Sequence, residues 1–97
     1  MARVVILVKL TAPRGRRDDL VAALQPVTDA AAREPGTETF ALFAARDDPD
    51  VLYTHEVYAD DAALQAHRAN PDLETVTTSL QAVLAGAPEV TYLTPLT

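Results

Sequence analysis

Val4-Val5-Ile6-Leu7-Val8-Lys9-Leu10 is apolar at every position but one and rich in β-branched residues. A strand with one wet face alternates apolar and polar side chains with a period of two, whereas this run is apolar on both parities. It therefore predicts a first strand whose sheet is covered on both faces, and the rest of the chain has to supply the covers.

Downstream, Leu20, Leu24, Val27 and Ala31 recur at helical spacing within Arg16 to Arg33, and Asp18 and Asp19 fall in the first turn, where they suit the helix dipole. Pro26 removes one backbone donor inside this helix and predicts a local kink. Gly36, in Glu34-Pro35-Gly36, is the permissive residue expected to let the chain leave the helix. Glu38 to Ala45 and Val51 to Tyr58 read as strands joined by the turn-forming run Arg46-Asp47-Asp48-Pro49-Asp50, an antiparallel hairpin. Asp60 is placed to cap a helix over Asp61 to Ala69, and Asn70-Pro71 restarts a helix whose stripe is Leu73, Val76, Leu80, Val83 and Leu84. Gly86 and Pro88 end it, and a last strand covers about Glu89 to Leu93.

The order βαββαβ is the ferredoxin-like split βαβ arrangement: an α+β fold with helices on one face of a four-stranded antiparallel sheet. One domain over residues 1–97 is expected from the length. Helices on one face leave the other bare, and a second copy of the chain is the simplest cover. No apolar run approaches the length of a membrane span, and the short run after Arg3 lacks the pattern of a secretory signal, so a cytoplasmic protein is expected. A net charge of -6 opposes the counterion release that supports nucleic-acid binding, and argues equally against an anionic membrane surface.

Most familiar chemistry is missing its residues. The chain has no cysteine, so thiolate catalysis, disulfides and sulfur-bound zinc are excluded. His55-Glu56 is not followed by the second histidine of a zinc-protease motif, and it lies in a strand. Ser79 is the only serine and sits in a helical stripe rather than at a nucleophile elbow. The three glycines are too scattered for a phosphate-binding loop, so neither a metal nor an organic cofactor is expected. What remains is a set of strand and helix residues. Ala63, Leu64 and His67 share a helical face turned toward the sheet, where His67 reads either as a structural histidine or as a pocket group. Alternation puts Leu52, Thr54, Glu56 and Tyr58 on one sheet face and Tyr53, His55 and Val57 on the other, so His55 and Glu56 cannot act together. Glu56 reads as the anchor of a buried hydrogen-bond network or as a pocket carboxylate. Phe40 and Tyr58 supply aromatic surface, and Arg14, Arg16 and Arg17 form a basic cluster that reads as a solvated loop.

Glu34-Pro35-Gly36, then Glu56-Val57-Tyr58 closing the third strand, then Ala63-Leu64-Gln65-Ala66-His67 with Asn70-Pro71 behind it, together resemble the antibiotic biosynthesis monooxygenase domain over nearly the whole chain. The resemblance implies a homodimeric α/β barrel with a small pocket between sheet and helices in each protomer. It also implies an activity: family members that are enzymes, among them quinol monooxygenases and polyketide anthrone oxygenases, oxidise phenolic substrates with molecular oxygen and use neither flavin nor metal. On this chain the resemblance implies His67 and Glu56 as catalytic residues and Phe40, Tyr58 and Leu64 as substrate contacts. Tyr58 stands where many relatives carry tryptophan, and Asp72 follows Pro71 where a second histidine is frequent. Haem-degrading relatives need an asparagine on strand 1 and a histidine on the last helix, and this chain has neither. The alternative is a small-ligand-binding or accessory dimer of the same fold without catalysis.

Overall fold

The computed structural model describes residues 2–97. Its elements are β1 (Val4–Thr11), α1 (Arg17–Arg33), β2 (Thr37–Ala44), β3 (Val51–Tyr58), α2 (Asp61–Arg68), a 3-10 turn (Pro71–Leu73), α3 (Val76–Gln81) and β4 (Glu89–Leu93). The four strands form one sheet in the order β2-β3-β1-β4, with every neighbouring pair antiparallel. This is the expected ferredoxin-like α+β fold, and the strand-1 run takes a central place in the sheet.

Register decides which residues meet. Ile6 lies opposite Glu56, Val8 opposite Thr54 and Leu10 opposite Leu52, while Phe40 faces Glu56 from the other side. These residues share the face covered by the helices. Leu10, Ala12, Leu20, Leu24, Leu52 and Val83 form one core cluster, and Ile6, Tyr58 and Leu64 form a second. On the opposite face Val5, Leu7, Ala41, Tyr53, Val57 and Leu93 are half-buried or exposed and belong to neither cluster. Among the described residues no helix is long and apolar enough to cross a membrane.

Two local expectations change, at Gly36 and after Asn70. Helix α1 includes Pro26 within its span. Proline withholds its bond from the carbonyl of Ala22, but both residues are exposed, so water can take the free acceptor. Gly36 is not used for a left-handed backbone, since the only positive φ among the described residues belongs to Gly15, at 77°. Glu34 ends α1 in an extended conformation, and Gly36 instead permits a close approach: a Cβ there would lie 2.5 Å from the Cβ of Ala63 on α2.

The helix expected to run on from Asn70 is broken into two. Asn70 caps it as predicted, its Oδ1 accepting from the N–H of Asp72, but Leu73 and Glu74 bond back three residues, to the carbonyls of Asn70 and Pro71. That tighter winding makes a 3-10 turn, and the α-helix proper begins only at Val76. Val76 and Val83 are still buried, with Leu80 and Leu84 against the core.

Candidate functional site

Strand alternation aims Thr54, Glu56 and Tyr58 at the helices, and all three are buried. The Thr54 hydroxyl donates to Glu56 Oε2 at 2.7 Å and the Tyr58 hydroxyl donates to Glu56 Oε1 at 2.5 Å. Both carboxylate oxygens are thus held by the strand that carries them, which offsets the cost of burying the group. Burial, reinforced by the hydrogen bond to Glu56 and the negative charge there, pushes the Tyr58 hydroxyl well above the ordinary tyrosine range, so it stays protonated and donating.

Helix α2 brings the histidine. The Asp60 carboxylate accepts from the Ala63 N–H at 2.8 Å, fixing the first turn and with it the rotation of the helix. Leu64 is driven into the cluster with Ile6 and Tyr58, and His67, one turn on, comes to rest against two aromatic rings. Its ring centroid is 5.3 Å from that of Tyr58 and 5.8 Å from that of Phe40. Nδ1 of His67 lies 2.7 Å from Glu34 Oε1. Nε2 makes no hydrogen bond among the described residues, and since among them no fully buried side-chain nitrogen or oxygen lacks a partner, Nε2 is not completely sealed. A cleft of about 390 Å³ borders His67, with Arg68, Asn70, Leu73, Glu74 and Thr77 on its walls.

Glu34 is the hub of this corner. Besides His67, it accepts from the Thr37 hydroxyl at 2.7 Å on Oε1 and from the Asn70 amide at 2.7 Å on Oε2. Burial by itself would raise its pKa, but the hydrogen bonds from Asn70, Thr37 and His67, with the attraction of His67, outweigh it and hold the carboxyl below the usual 4.5.

The structure brings Phe40, Tyr58 and His67 together and ties Glu56 to Tyr58, but Glu56 makes no hydrogen bond to His67. Tyr58 has no exposed surface and Leu64 almost none, whereas Phe40 is half-buried. In the sequence Glu34 enters only through Glu34-Pro35-Gly36, at the helix exit and in the family resemblance, and Asn70 only as a helix cap and, with Pro71, in that same resemblance. Glu34's contacts with His67 and Asn70 span 33 and 36 residues, which no local spacing reveals. Of the basic cluster, Arg14 and Arg16 are exposed, Arg16 pairing with Asp19, whereas Arg17 is half-buried at the start of α1 and donates to the carbonyls of Ala45 and Asp48. Among the described residues no three His, Asp or Glu side chains are grouped as metal ligands would be.

A family model described as antibiotic biosynthesis monooxygenase matches residues 3–77. No curated protein matches the sequence. Solved structures do resemble it: PA3566 of Pseudomonas aeruginosa (TM-score 0.90, 23% identity, 100% of this chain and 97% of that one) and Rv0793 of Mycobacterium tuberculosis (0.89, 24%, 99% and 97%). SnoaB of Streptomyces nogalater, a cofactor-independent oxygenase, superimposes with a TM-score of 0.86 at 21% identity, over 100% of this chain and 96% of its own. At these identities the structures establish a shared fold, and the family model, which spans most of the sequence, establishes kinship: the chain belongs to the antibiotic biosynthesis monooxygenase family.

Proposed function

We propose that this protein is a cofactor-independent monooxygenase that oxidises a phenolic or quinol substrate, or a polyketide-type aromatic one, with molecular oxygen. The observation that carries the reading is His67: an imidazole packed against two aromatic side chains, anchored on Nδ1 and without a hydrogen-bond partner on Nε2 among the described residues. A phenol becomes a good reductant of oxygen once its hydroxyl proton is removed, and a base in a half-buried apolar setting is what that step requires. In stoichiometry, a phenol with a free para carbon and one O₂ give a para-quinone and one water, and a hydroquinone with a free ring carbon and one O₂ give a hydroxyquinone and one water. One oxygen atom enters the ring, the other leaves as water, and the substrate supplies all four electrons, so no separate reductant is needed.

In this reading Nε2 of His67 takes the phenolic proton, and Phe40 gives the substrate ring an apolar surface. Tyr58, Glu56 and Leu64 form the layer behind, holding His67 and Phe40 in place. The same proposal includes a homodimer: two copies packed through the bare sheet face would cover Val5, Leu7, Tyr53 and Val57 and account for a first strand that is apolar on both sides.

Oxygen uptake and quinone absorbance with a panel of hydroquinones and hydroxylated anthrones test the activity. His67→Ala should slow turnover by about a hundred-fold, the usual scale of a lost general base, while leaving the fold intact. A wild-type protein that oxidises nothing in the panel sinks the reading. Sedimentation at micromolar concentration tests the dimer, and a stable, non-associating monomer would refute it. One observation favours the rival of a ligand-binding or accessory dimer: Glu56 has both oxygens committed to its own strand and Tyr58 is sealed. Panel compounds that bind without being oxidised would favour that rival.

A further inference from the structure

We propose that Glu34 is the positioning residue for His67: its carboxylate holds the imidazole in the Nδ1–H form, so that the lone pair sits on Nε2, the nitrogen with no hydrogen-bond partner among the described residues. This rests on the reading of His67 as the base. Donors and acceptors decide the tautomer. An ionised carboxylate can only accept, so a Glu34 that remains charged at neutral pH requires a proton on Nδ1 at 2.7 Å. The proton a neutral imidazole carries on one nitrogen is absent from the other, and the hydrogen bond made by one nitrogen therefore sets the chemistry of its partner. Nothing else hydrogen-bonds the ring among the described residues, and the Tyr58 hydroxyl is already given to Glu56.

The carboxylate is itself held. Thr37 and Asn70 donate to it from β2 and from the start of the 3-10 turn, and Asn70 cannot turn its amide over without giving up the cap to Asp72. Three donors from three different segments thus converge on a side chain that is 13% exposed, against a histidine that is 12% exposed. A latch that merely joined α2 to the sheet would need one of these bonds. Two hydrogen bonds besides the one to His67 fix the angle at which the carboxylate meets the ring. When Nε2 takes a phenolic proton, the O–H bond breaks, an N–H bond forms, and the imidazolium gains its counter-charge from Glu34 with no rearrangement. Other charges near the ring are Glu56 behind Tyr58, Arg68 on the same helix and Glu74 on the cleft wall; none of them hydrogen-bonds either ring nitrogen.

The test reads the ring directly. The chain has two histidines, so a sample labelled with ¹⁵N in the imidazoles shows two rings, and His55→Gln assigns them. At about pH 8, where an ordinary imidazole is neutral, His67 should show a protonated Nδ1 and a bare Nε2 in the intact wild-type protein. Glu34→Gln should shift the ring toward the Nε2–H form and lower kcat by about 10–100-fold or more with KM little changed, the lower end being the scale for losing the hydrogen-bonded partner of a ligating histidine and the upper end reaching toward that of a catalytic triad. An Nε2–H ring in the wild type overturns the proposal even if Glu34→Gln fails to fold, as does a well-folded Glu34→Gln with an unchanged tautomer. An Nδ1–H ring in the wild type, together with full turnover by His67→Ala, would instead refute the base assignment beneath it, so the two failures are told apart.

Discussion

The two ends of the sheet–helix interface are built from the same strands and buried alike, yet they differ in kind. At one end Leu10, Leu20, Leu24, Leu52 and Val83 pack together with no polar side chain among them. At the other, Ile6, Tyr58 and Leu64 pack beside Thr54 and Glu56, and the Glu34–His67–Asn70 network closes the corner. Strand β3 passes through both, from Leu52 to Tyr58 on one face. A fold of this size gains nothing from burying carboxylates that an apolar side chain of similar volume would not also supply, because each must first be desolvated and then given partners. The dry end is what the fold needs, and the polar end, where the proposed chemistry lies, is where stability is given up.

The contrast breaks most visibly at Leu20, which has no exposed surface. Leu20→Ala should cost about 2–5 kcal/mol by denaturant melts, the range for a large-to-small change in a packed core, while turnover per folded molecule stays at the wild-type value. A loss of turnover beyond the loss of folded protein would show that the dry end is not functionally silent. Next in size is Tyr58→Phe, which keeps the ring against His67 and removes only the donor to Glu56. Leaving that buried oxygen without its partner should cost about 1–3 kcal/mol, and the variant should keep its melt at high pH better than the wild type. The sign follows from the raised folded-state pKa of Tyr58: stability from that proton is complete below the ordinary value of 10.0 and is lost as the unfolded tyrosine ionises above it.

Gly36→Ala probes the seam between the two kinds of packing. An added methyl would meet the Ala63 Cβ at 2.5 Å, so α2 has to move away from the α1–β2 corner and carry His67 with it. The expected cost is about 1–2 kcal/mol of overpacking, because α2 is short and can shift. Activity should fall by more than stability, through the longer His67–Glu34 distance. Full turnover in the Gly36→Ala variant would show that the close approach serves packing alone.

How much of this picture is legible in the sequence depends on the range of the physics. Strand and helix identities rest on periodicities a few residues long, so β3 and β4 are legible to the residue and Asp60 and Asn70 are legible as caps. The 3-10 turn is not, because an apolar stripe does not distinguish three-residue from four-residue hydrogen bonding over a single turn. Nor is the use of Gly36, whose reason is Ala63, a neighbour only in three dimensions. The site divides the same way. Alternation puts Glu56 on the face where the structure has it, and helical spacing puts His67 on the sheet side of its helix. The carboxylate that holds His67 lies outside the reach of any pattern, since Glu34 and His67 meet only after the sheet has formed and α2 has docked.

The smallest effect needs no change in the chain beyond a proton, and it belongs to the polar end alone. Glu34 has a folded-state pKa below the ordinary 4.5, because the hydrogen bonds from Asn70, Thr37 and His67 outweigh the opposing effect of burial. Near that pH the unfolded chain therefore binds more protons than the folded one, and stability rises with pH. The stabilisation is fully present above about 4.5 and is lost as the pH falls through the folded-state value, when the protonated carboxyl can no longer accept from all three donors. Denaturant midpoints measured for the wild type and Glu34→Gln from neutral pH down to about pH 3 isolate it. The gap between the two proteins should narrow below the ordinary carboxylate pKa, because only the wild type has this charge to lose. Leu20→Ala, measured in the same series, should run parallel to the wild type throughout, since that substitution removes no titrating group. A Glu34→Gln curve that also stays parallel would mean that Glu34 is no better solvated by its three donors than by water, and the division between the two ends would lose its electrostatic basis.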